Sequence, residues 1–145
     1  MYKTSCKQTP WGVADQEEQI AEGIVSYATP SHGGIGLSSE RWKQLKRVHP
    51  NFRTFCGMAG WLEEDCDWAF AAITWPMEFP PRAVFHAVLS MAADYNHRKL
   101  APDFWQSAEG RQAEAIALEY ATTHEPEARE AVLSVGANLG TEVTL

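Results

Sequence analysis

Apolar residues cluster along this chain in two different ways, and the change predicts strands in the first half and helices in the second. Residues 23–29 are rich in β-branched and aromatic side chains and are closed by Pro30, which predicts a strand. Residues 34–37 can pair with this strand as the second arm of a hairpin. The turn between the arms, residues 31–33, would then present His32 at the tip of the hairpin.

The segment before this hairpin carries weaker signals. Residues 1–10 predict a flexible arm that ends at Pro10. Residues 11–14 predict a short strand, and the polar residues 15–19 predict a turn.

After the hairpin, the spacing of apolar residues predicts a helix over residues 39–48. Ser38 or Ser39 can cap its N-terminus, and Pro50 stops it because the residue before a proline is pushed out of the α region. Its apolar face consists of Trp42, Leu45 and Val48. Its other face carries the cations Arg41, Lys43, Lys46 and Arg47.

Residues 61–75 form the most apolar stretch of the chain, which ends at Pro76. A continuous apolar run of this kind is typical of a central strand that is buried on both faces. With the period of two of a strand, three carboxylates would point to the same side. These are Glu63, Asp65 and Asp67.

The rest of the chain predicts helices. An apolar face recurs with helical spacing over residues 81–97, and a second helix is expected over 102–122 with a break near Gly110. A third helix fits 126–135 with Gly136 at its C-cap, and residues 141–145 could add an edge strand.

Strands followed by helices predict an α+β fold, in which a small antiparallel sheet packs against several α-helices. A chain of 145 residues is the size of one domain. Within it we distinguish the arm of residues 1–10, a sheet-forming part with one helix over 11–75, and a helical part over 81–136.

The net charge, the apolar runs and the cysteines of the chain exclude some classes of function. The net charge of −7 argues against a general nucleic-acid binder, because such proteins neutralise phosphates with Lys and Arg. No apolar run reaches the roughly 18 residues of a membrane span, and three cysteines without C-x-x-C spacing fit reduced thiols, so we expect no membrane contact and a cytoplasmic location.

The hairpin tip and the acidic stretch offer one candidate reactive site. Imidazole and carboxylates are suitable ligands for a divalent metal, and a histidine held by an aspartate is a common general base. His32, Asp65 and Asp67 are therefore the candidate catalytic residues of a small metal-assisted hydrolase, with Glu63 as a further metal ligand. The alternative is structural: His32 bonds a carboxylate and fixes the turn to the sheet.

Other reactions find little support in the sequence. A Cys66–His32 nucleophile is disfavoured because Asp65 and Asp67 flank the thiol and oppose its ionisation. The chain has no P-loop, no G-x-G-x-x-G and no G-x-S-x-G motif, so no cofactor is predicted.

Two motifs carry a resemblance to a known family. The turn T-P-S-H-G-G-I, residues 29–35, is followed by E-E-D-x-D-W, residues 63–68. With these motifs the chain resembles an uncharacterised family of small domains from bacterial phages, plasmids and integrated elements, over about residues 11–75. The resemblance implies a mobile-element protein that works inside a bacterial cell, where such proteins often bind host defence or replication machinery. It assigns no catalytic or binding residue.

Our leading functional hypothesis is an acidic protein of a mobile element that inhibits a host defence or DNA-handling complex, such as a nucleic-acid-guided one, by protein–protein contact. The expected partner is a host protein or nucleoprotein complex. The expected contact face is acidic and consists of Glu109, Glu114, Glu119, Glu125, Glu127 and Glu130. A DNA-binding regulator that uses the basic helix 39–48 is a further alternative. Any exposed tryptophan among Trp11, Trp61 and Trp105 would also mark an interface.

Overall fold

The strands of the first half of the chain form an antiparallel sheet with five members. This computed structural model describes residues 2–141. In spatial order the strands are β1 (Lys3–Thr4), β4 (Gln16–Ala21), β5 (Ile24–Ala28), β6 (Gly33–Leu37) and β7 (Trp61–Glu63). A separate hairpin joins β2 (Gln8–Thr9) to β3 (Gly12–Val13).

Within residues 2–141, the chain forms six α-helices. They are α1 (Ser39–Val48), α2 (Trp68–Thr74), α3 (Pro81–Ser90), α4 (Asp94–His97), α5 (Ala108–His124) and α6 (Arg129–Thr141). α1 packs against β6, α3 packs on α2 and α5, and α5 packs on α6. Ile24, Ile35 and Leu62 of the sheet join the aromatic and aliphatic core between the helices. The architecture confirms the predicted α+β class.

The central hairpin and the first helix match their predictions. β5 pairs with β6 in antiparallel register, and Ala28 lies opposite Gly33. Ser38 caps α1, since its hydroxyl accepts a hydrogen bond from the N–H of Arg41 at 3.2 Å.

The prediction of one long strand over residues 61–75 was wrong. Only Trp61–Glu63 is a strand, and after a turn over 64–67 the chain enters α2, in which residues 69–74 are all buried. A helix that is apolar on every side loses its 3.6-residue period and looks like a buried strand. The three alanines at 69, 71 and 72 were the missed signal, because alanine is the strongest helix former.

The beginning of the chain is also more ordered than predicted. Residues 1–10, expected to be a flexible arm, contribute β1 and β2, and residues 15–19, expected to be a turn, belong largely to β4. The first four residues of β4, 16–19, are all polar, so pairing with β5 determines the strand here and local propensity does not.

The boundaries of the later helices differ from the predicted ones. The expected helix 81–97 is divided into α3 and the short α4. Gly110 does not break its helix but lies buried in the first turn of α5, where a Cβ would collide with the carbonyl oxygen of Phe104. α6 continues through the expected C-cap Gly136, and of the predicted edge strand 141–145 only Thr141 is described, at the end of α6.

A buried histidine connects α1 to the helical half. His49 follows α1 and is fully buried. The hydroxyl of Thr74 donates to the carbonyl of Phe70 at 2.6 Å, so the Nε2–H of His49 donates to that hydroxyl, at 3.2 Å. Nδ1 is then free to accept the N–H of Ala101 at 3.4 Å. Burial lowers the pKa of His49 to about 4, which keeps the imidazole neutral.

Candidate functional site

The histidine turn and the acidic stretch lie side by side, as predicted. β6 pairs with β7, and the N–H of Glu64 donates to the carbonyl of Gly33 at 3.1 Å. Nδ1 of His32 lies 3.6 Å from Oε1 of Glu64, and the two side chains expose 57% and 47% of their surface. A side-chain contact this exposed contributes little to stability. The carboxylate that meets the imidazole is therefore Glu64, which was not among the predicted catalytic residues.

Hydrogen bonds of Thr29, from its backbone and its hydroxyl group, close the histidine turn. Its N–H donates to the carbonyl of His32 at 2.7 Å, and its hydroxyl oxygen accepts the N–H of His32 at 3.0 Å. The imidazole takes no part in either bond. The ring lies largely exposed at the surface, beside Glu64.

Glu63 has a structural role at the end of β7. Its side chain is buried, and Oε1 accepts the N–H groups of Asp65 at 2.8 Å and of Cys66 at 3.0 Å. These bonds close the turn that leads into α2. Burial raises the pKa of Glu63, so the environment disfavours its charged form.

Cys66 lies in the same turn and is poorly suited to act as a nucleophile. Burial raises the pKa of its thiol, and the carboxylates of Glu63, Asp67 and Asp65 raise it further. The thiol is thus kept protonated, which agrees with the expectation from its acidic neighbours.

Asp67 anchors a loop from inside the protein. Its carboxylate is completely buried, and Oδ2 accepts the backbone N–H of Phe55 at 2.6 Å. Oδ1 lies 3.3 Å from Nζ of Lys99, whose ammonium group is also 4.2 Å from the ring centre of Tyr95. The side chain therefore binds a backbone donor and a largely buried cation.

The four candidate residues of a hydrolase do not form one cluster. His32 meets Glu64, Glu63 closes a turn, Asp65 is exposed, and Asp67 is engaged in the interior. Within residues 2–141, no three side chains of the types His, Cys, Asp or Glu are grouped so that they could hold a metal ion.

The glycines of the T-P-S-H-G-G-I-G segment allow close contacts with neighbouring strands and with aromatic rings. A Cβ at Gly33 would lie 2.7 Å from the backbone carbonyl oxygen of Tyr27, and one at Gly34 would collide with that of Leu62. A Cβ at Gly34 would also collide with the ring of Trp11, and one at Gly36 would lie 2.9 Å from Trp61 and 3.0 Å from Tyr27. The ring centres of Trp11 and Trp61 are 5.8 Å apart. The positive-φ glycines in the described part of the chain lie elsewhere, so close packing explains this motif and left-handed backbone does not.

Asp67 holds a loop that displays apolar side chains to solvent. We call residues 53–60 the Phe55 loop, since Phe55 exposes 70% of its surface and Met58 exposes 51%. Gly57 and Gly60 adopt positive φ and shape the chain on both sides of Met58. The N–H of Trp61 donates to the carbonyl of Met58 at 3.2 Å, which ties the end of the loop to β7.

A groove follows α5 on the helical side of the molecule. Its wider half, about 510 Å³, lies between α5 and the segment 76–81, and its lining residues are Pro76, Met77, Phe79, Pro81, Ile116, Glu119, Tyr120, Thr123 and His124. A neighbouring half of about 450 Å³ shares Pro76 and Met77 and extends to Glu109 and Gln112. We call the two halves together the α5 groove. Met77 lies between them and exposes 70% of its surface.

The six glutamates of the predicted contact face are distributed over several surfaces. Glu109 and Glu119 line the α5 groove. Glu114 lies five residues from each, about 140° further around the helix, and its side chain lies against Gly136 of α6. Burial raises the pKa of Glu114. The remaining three follow α5: Glu125 is half-buried, and Glu127 and Glu130 are exposed.

Two cations of the basic helix are engaged within the protein. Arg41 lies 2.8 Å from Glu78 and 5.0 Å above the ring of Trp75, and Lys46 donates to the carbonyl of Pro50 at 3.1 Å. Lys43 and Arg47 are exposed. Among the three tryptophans considered as interface markers, Trp105 is buried and Trp11 and Trp61 are half-buried.

In the comparison with protein-family models, residues 4–131 match a family model. Its description is Domain of unknown function (DUF7007). The chain belongs to the DUF7007 family. The search of curated proteins and the search of solved structures found no match.

The extent of the DUF7007 match changes the view of the helical half. The resemblance seen in the sequence covered residues 11–75, whereas the family domain also includes α3, α4, α5 and the start of α6. The α5 groove is thus part of the DUF7007 domain. Among residues 2–141, no helix is both long enough and apolar enough to cross a membrane.

Proposed function

We propose that this protein binds another protein through the Phe55 loop, with Phe55 as the central contact. One observation carries the proposal: Phe55 exposes 70% of its surface while its own backbone N–H is bonded to a fully buried carboxylate. A large aromatic side chain in water loses the hydrophobic stabilisation that it would gain in a core, roughly 2 kcal/mol. Aromatic side chains of this kind are typical centres of protein–protein interfaces.

The Phe55 loop is held in shape before any partner arrives. Asp67 fixes its backbone at Phe55, the N–H of Gly57 donates to the carbonyl of Thr54 at 3.2 Å, and Trp61 secures its end. A preorganised loop loses less conformational entropy on binding than a mobile one. The E-E-D-x-D-W motif supports this display, because it supplies Asp67.

The proposed partner is a host defence or DNA-handling complex of a bacterial cell, and the proposed protein is a cytoplasmic inhibitor encoded by a mobile element. The net charge of −7 supports this choice, because an acidic protein is attracted to the basic channels in which such complexes hold nucleic acid. The exposed glutamates Glu109, Glu119, Glu127 and Glu130 can contribute to this attraction.

The alternatives lack an observation of similar weight. A hydrolytic centre would need His32 beside several carboxylates, but it meets the exposed Glu64 alone among the contacts described. On α1, Arg41 and Lys46 already have partners inside the protein. A DNA-binding surface on this helix would therefore rely on the exposed Lys43 and Arg47.

An affinity capture from a bacterial host lysate tests the proposal with three baits: the natural protein, Phe55→Ala and Leu133→Ala. Leu133 exposes 43% of its surface on α6 and is the matched apolar control. We expect the natural protein and Leu133→Ala to retain the same partner and Phe55→Ala to lose it. The purified partner should then bind Phe55→Ala at least tenfold more weakly, and its activity should fall only with the natural protein and the control.

Capture of the same partner by Phe55→Ala with unchanged affinity would refute the role of the Phe55 loop. A partner that binds through Phe55 but keeps its full activity would refute inhibition and leave the binding role in place. Circular dichroism of each bait confirms that the variants fold, which is expected because both side chains are exposed.

A further inference from the structure

The α5 groove presents one continuous face of α5. The lining residues Glu109, Gln112, Ile116, Tyr120 and Thr123 recur at spacings of three and four. With a rise of 1.5 Å per residue, this face is about 21 Å long. That length equals about four turns of a second helix, so the groove can hold a helical segment along most of its extent.

The middle of the α5 groove is apolar. Met77 projects between its two halves with 70% of its surface exposed, and Phe79, Ile116 and Tyr120 line the wider half. Methionine side chains adapt to apolar partners of varied shape, because they are unbranched and polarizable. An apolar side chain that packs on Met77 would remove part of this exposed apolar surface from water.

The charges along the α5 groove are mainly negative. Glu109 lines one half and Glu119 the other, and along the helix they are about 15 Å apart. Arg41 and Glu78 also line the groove, but they lie 2.8 Å apart and neutralise each other. His124 is a further lining residue of the wider half. The two unneutralised carboxylates among the lining residues therefore lie on both sides of the apolar centre.

We propose that the α5 groove binds an amphipathic basic helix of a partner protein. The apolar face of that helix covers Met77 and Tyr120, and two Lys or Arg residues about three turns apart reach Glu109 and Glu119. Helices of this type bind to apolar grooves through residues at i, i+3, i+4 and i+7. Charge complementarity selects the basic helix, since an acidic helix would face two carboxylates. This site is separate from the Phe55 loop and does not depend on its function.

A synthetic peptide tests this inference. The probe is a fluorescent helical peptide of about 18 residues, with leucines on one face and two lysines eleven positions apart, a separation of about 16 Å. Its controls are a scrambled peptide of the same composition and a peptide with glutamates in place of the two lysines. Fluorescence anisotropy measures affinity, and backbone amide shifts in NMR spectra locate the binding site.

We expect the lysine peptide to bind and to shift the amides of α5 and residues 76–81. Met77→Ala and the double variant Glu109→Gln/Glu119→Gln should each weaken binding about tenfold, and added salt should weaken it further. Glu127→Gln, an exposed glutamate that does not line the groove, and Phe55→Ala should change the affinity less than about twofold.

Three results would overturn the inference: equal binding of the scrambled or acidic peptide, unchanged affinity in the groove variants, or amide shifts confined to other surfaces. The altered side chains are exposed, so circular dichroism should show the natural fold. Because Phe55→Ala serves as a control here, failure at the α5 groove leaves the proposed role of the Phe55 loop untouched.

Discussion

Carboxylates in two regions of this protein have opposite environments. Glu63 and Asp67, next to the sheet, are buried and accept backbone N–H groups, whereas Glu109 and Glu119 on α5 are exposed. All four looked similar in the sequence as candidate functional groups. The comparison shows that a carboxylate is structural where it is buried and accepts backbone N–H groups that would otherwise have no partner. An exposed carboxylate keeps its oxygens available for contact with another protein.

This difference predicts where substitutions act. Removal of a buried carboxylate leaves its donors without partners, so it should reduce the free energy of unfolding. Removal of an exposed carboxylate breaks mainly contacts with water, so its effect should be seen in binding. The predictions below test this separation.

The largest effect is expected for Asp67→Ala. The substitution leaves the ammonium group of Lys99, which is 16% exposed, and the N–H of Phe55 without their partner. Loss of one member of a buried ion pair costs about 3–5 kcal/mol. Urea unfolding at pH 7 measures the loss, and hydrogen exchange should show a less protected amide at Phe55.

The double variant Asp67→Ala/Lys99→Met is the control for this assignment. It removes the cation together with its partner, so it should be less destabilised than the sum of the two single variants. Additive losses would mean that the two side chains stabilise the fold independently of each other.

The second largest effect is the pH dependence caused by His49. Its pKa is lowered from 6.5 to about 4 by burial, so between these values the unfolded chain binds a proton that the folded protein does not. The free energy of unfolding should therefore be highest above pH 6.5 and fall toward pH 4, by about 3 kcal/mol in total.

Urea titrations at several pH values measure this loss, and ¹⁵N NMR of the imidazole checks its cause. The signals of His49 should show a proton on Nε2 and should not titrate between pH 5 and 7. A proton on Nδ1 would contradict the hydrogen bonds with Thr74 and Ala101.

Much of the fold could be predicted from local sequence patterns. The hairpin of β5 and β6 follows from β-branched residues on both sides of a Pro–Gly turn, and α1 follows from its cap and its apolar spacing. α2 could not be predicted in this way, because burial on every side removes its period. The polar residues 16–19 of β4 likewise give no local signal for a strand, since pairing with β5 determines it.

The candidate site was predictable in part. A hairpin followed by a further strand predicts that the histidine turn contacts the acidic stretch. The roles of the carboxylates depend on the turn over residues 64–67, which interrupts the predicted strand. Asp67 binds Phe55, 12 positions before it, and Lys99, 32 positions after it. No local pattern in the sequence indicates such contacts.

The smallest effects are expected for Glu63, and they depend on the replacement. Burial raises the pKa of Glu63, so ionisation of this group opposes folding. Its contribution to the free energy of unfolding is therefore full at low pH and declines as the pH rises through its pKa in the folded protein. Glu63→Gln keeps an oxygen for the N–H groups of Asp65 and Cys66 without a buried charge, so it should change the free energy of unfolding by less than about 1 kcal/mol at pH 7. Glu63→Ala leaves both donors unpaired and should cost about 1–3 kcal/mol.

The exposed Glu127→Gln is the matched control and should stay within about 0.5 kcal/mol of the natural protein in the same urea titration. A loss for Glu63→Gln as large as that for Glu63→Ala would show that the charge of Glu63, and not its oxygen, holds the turn before α2.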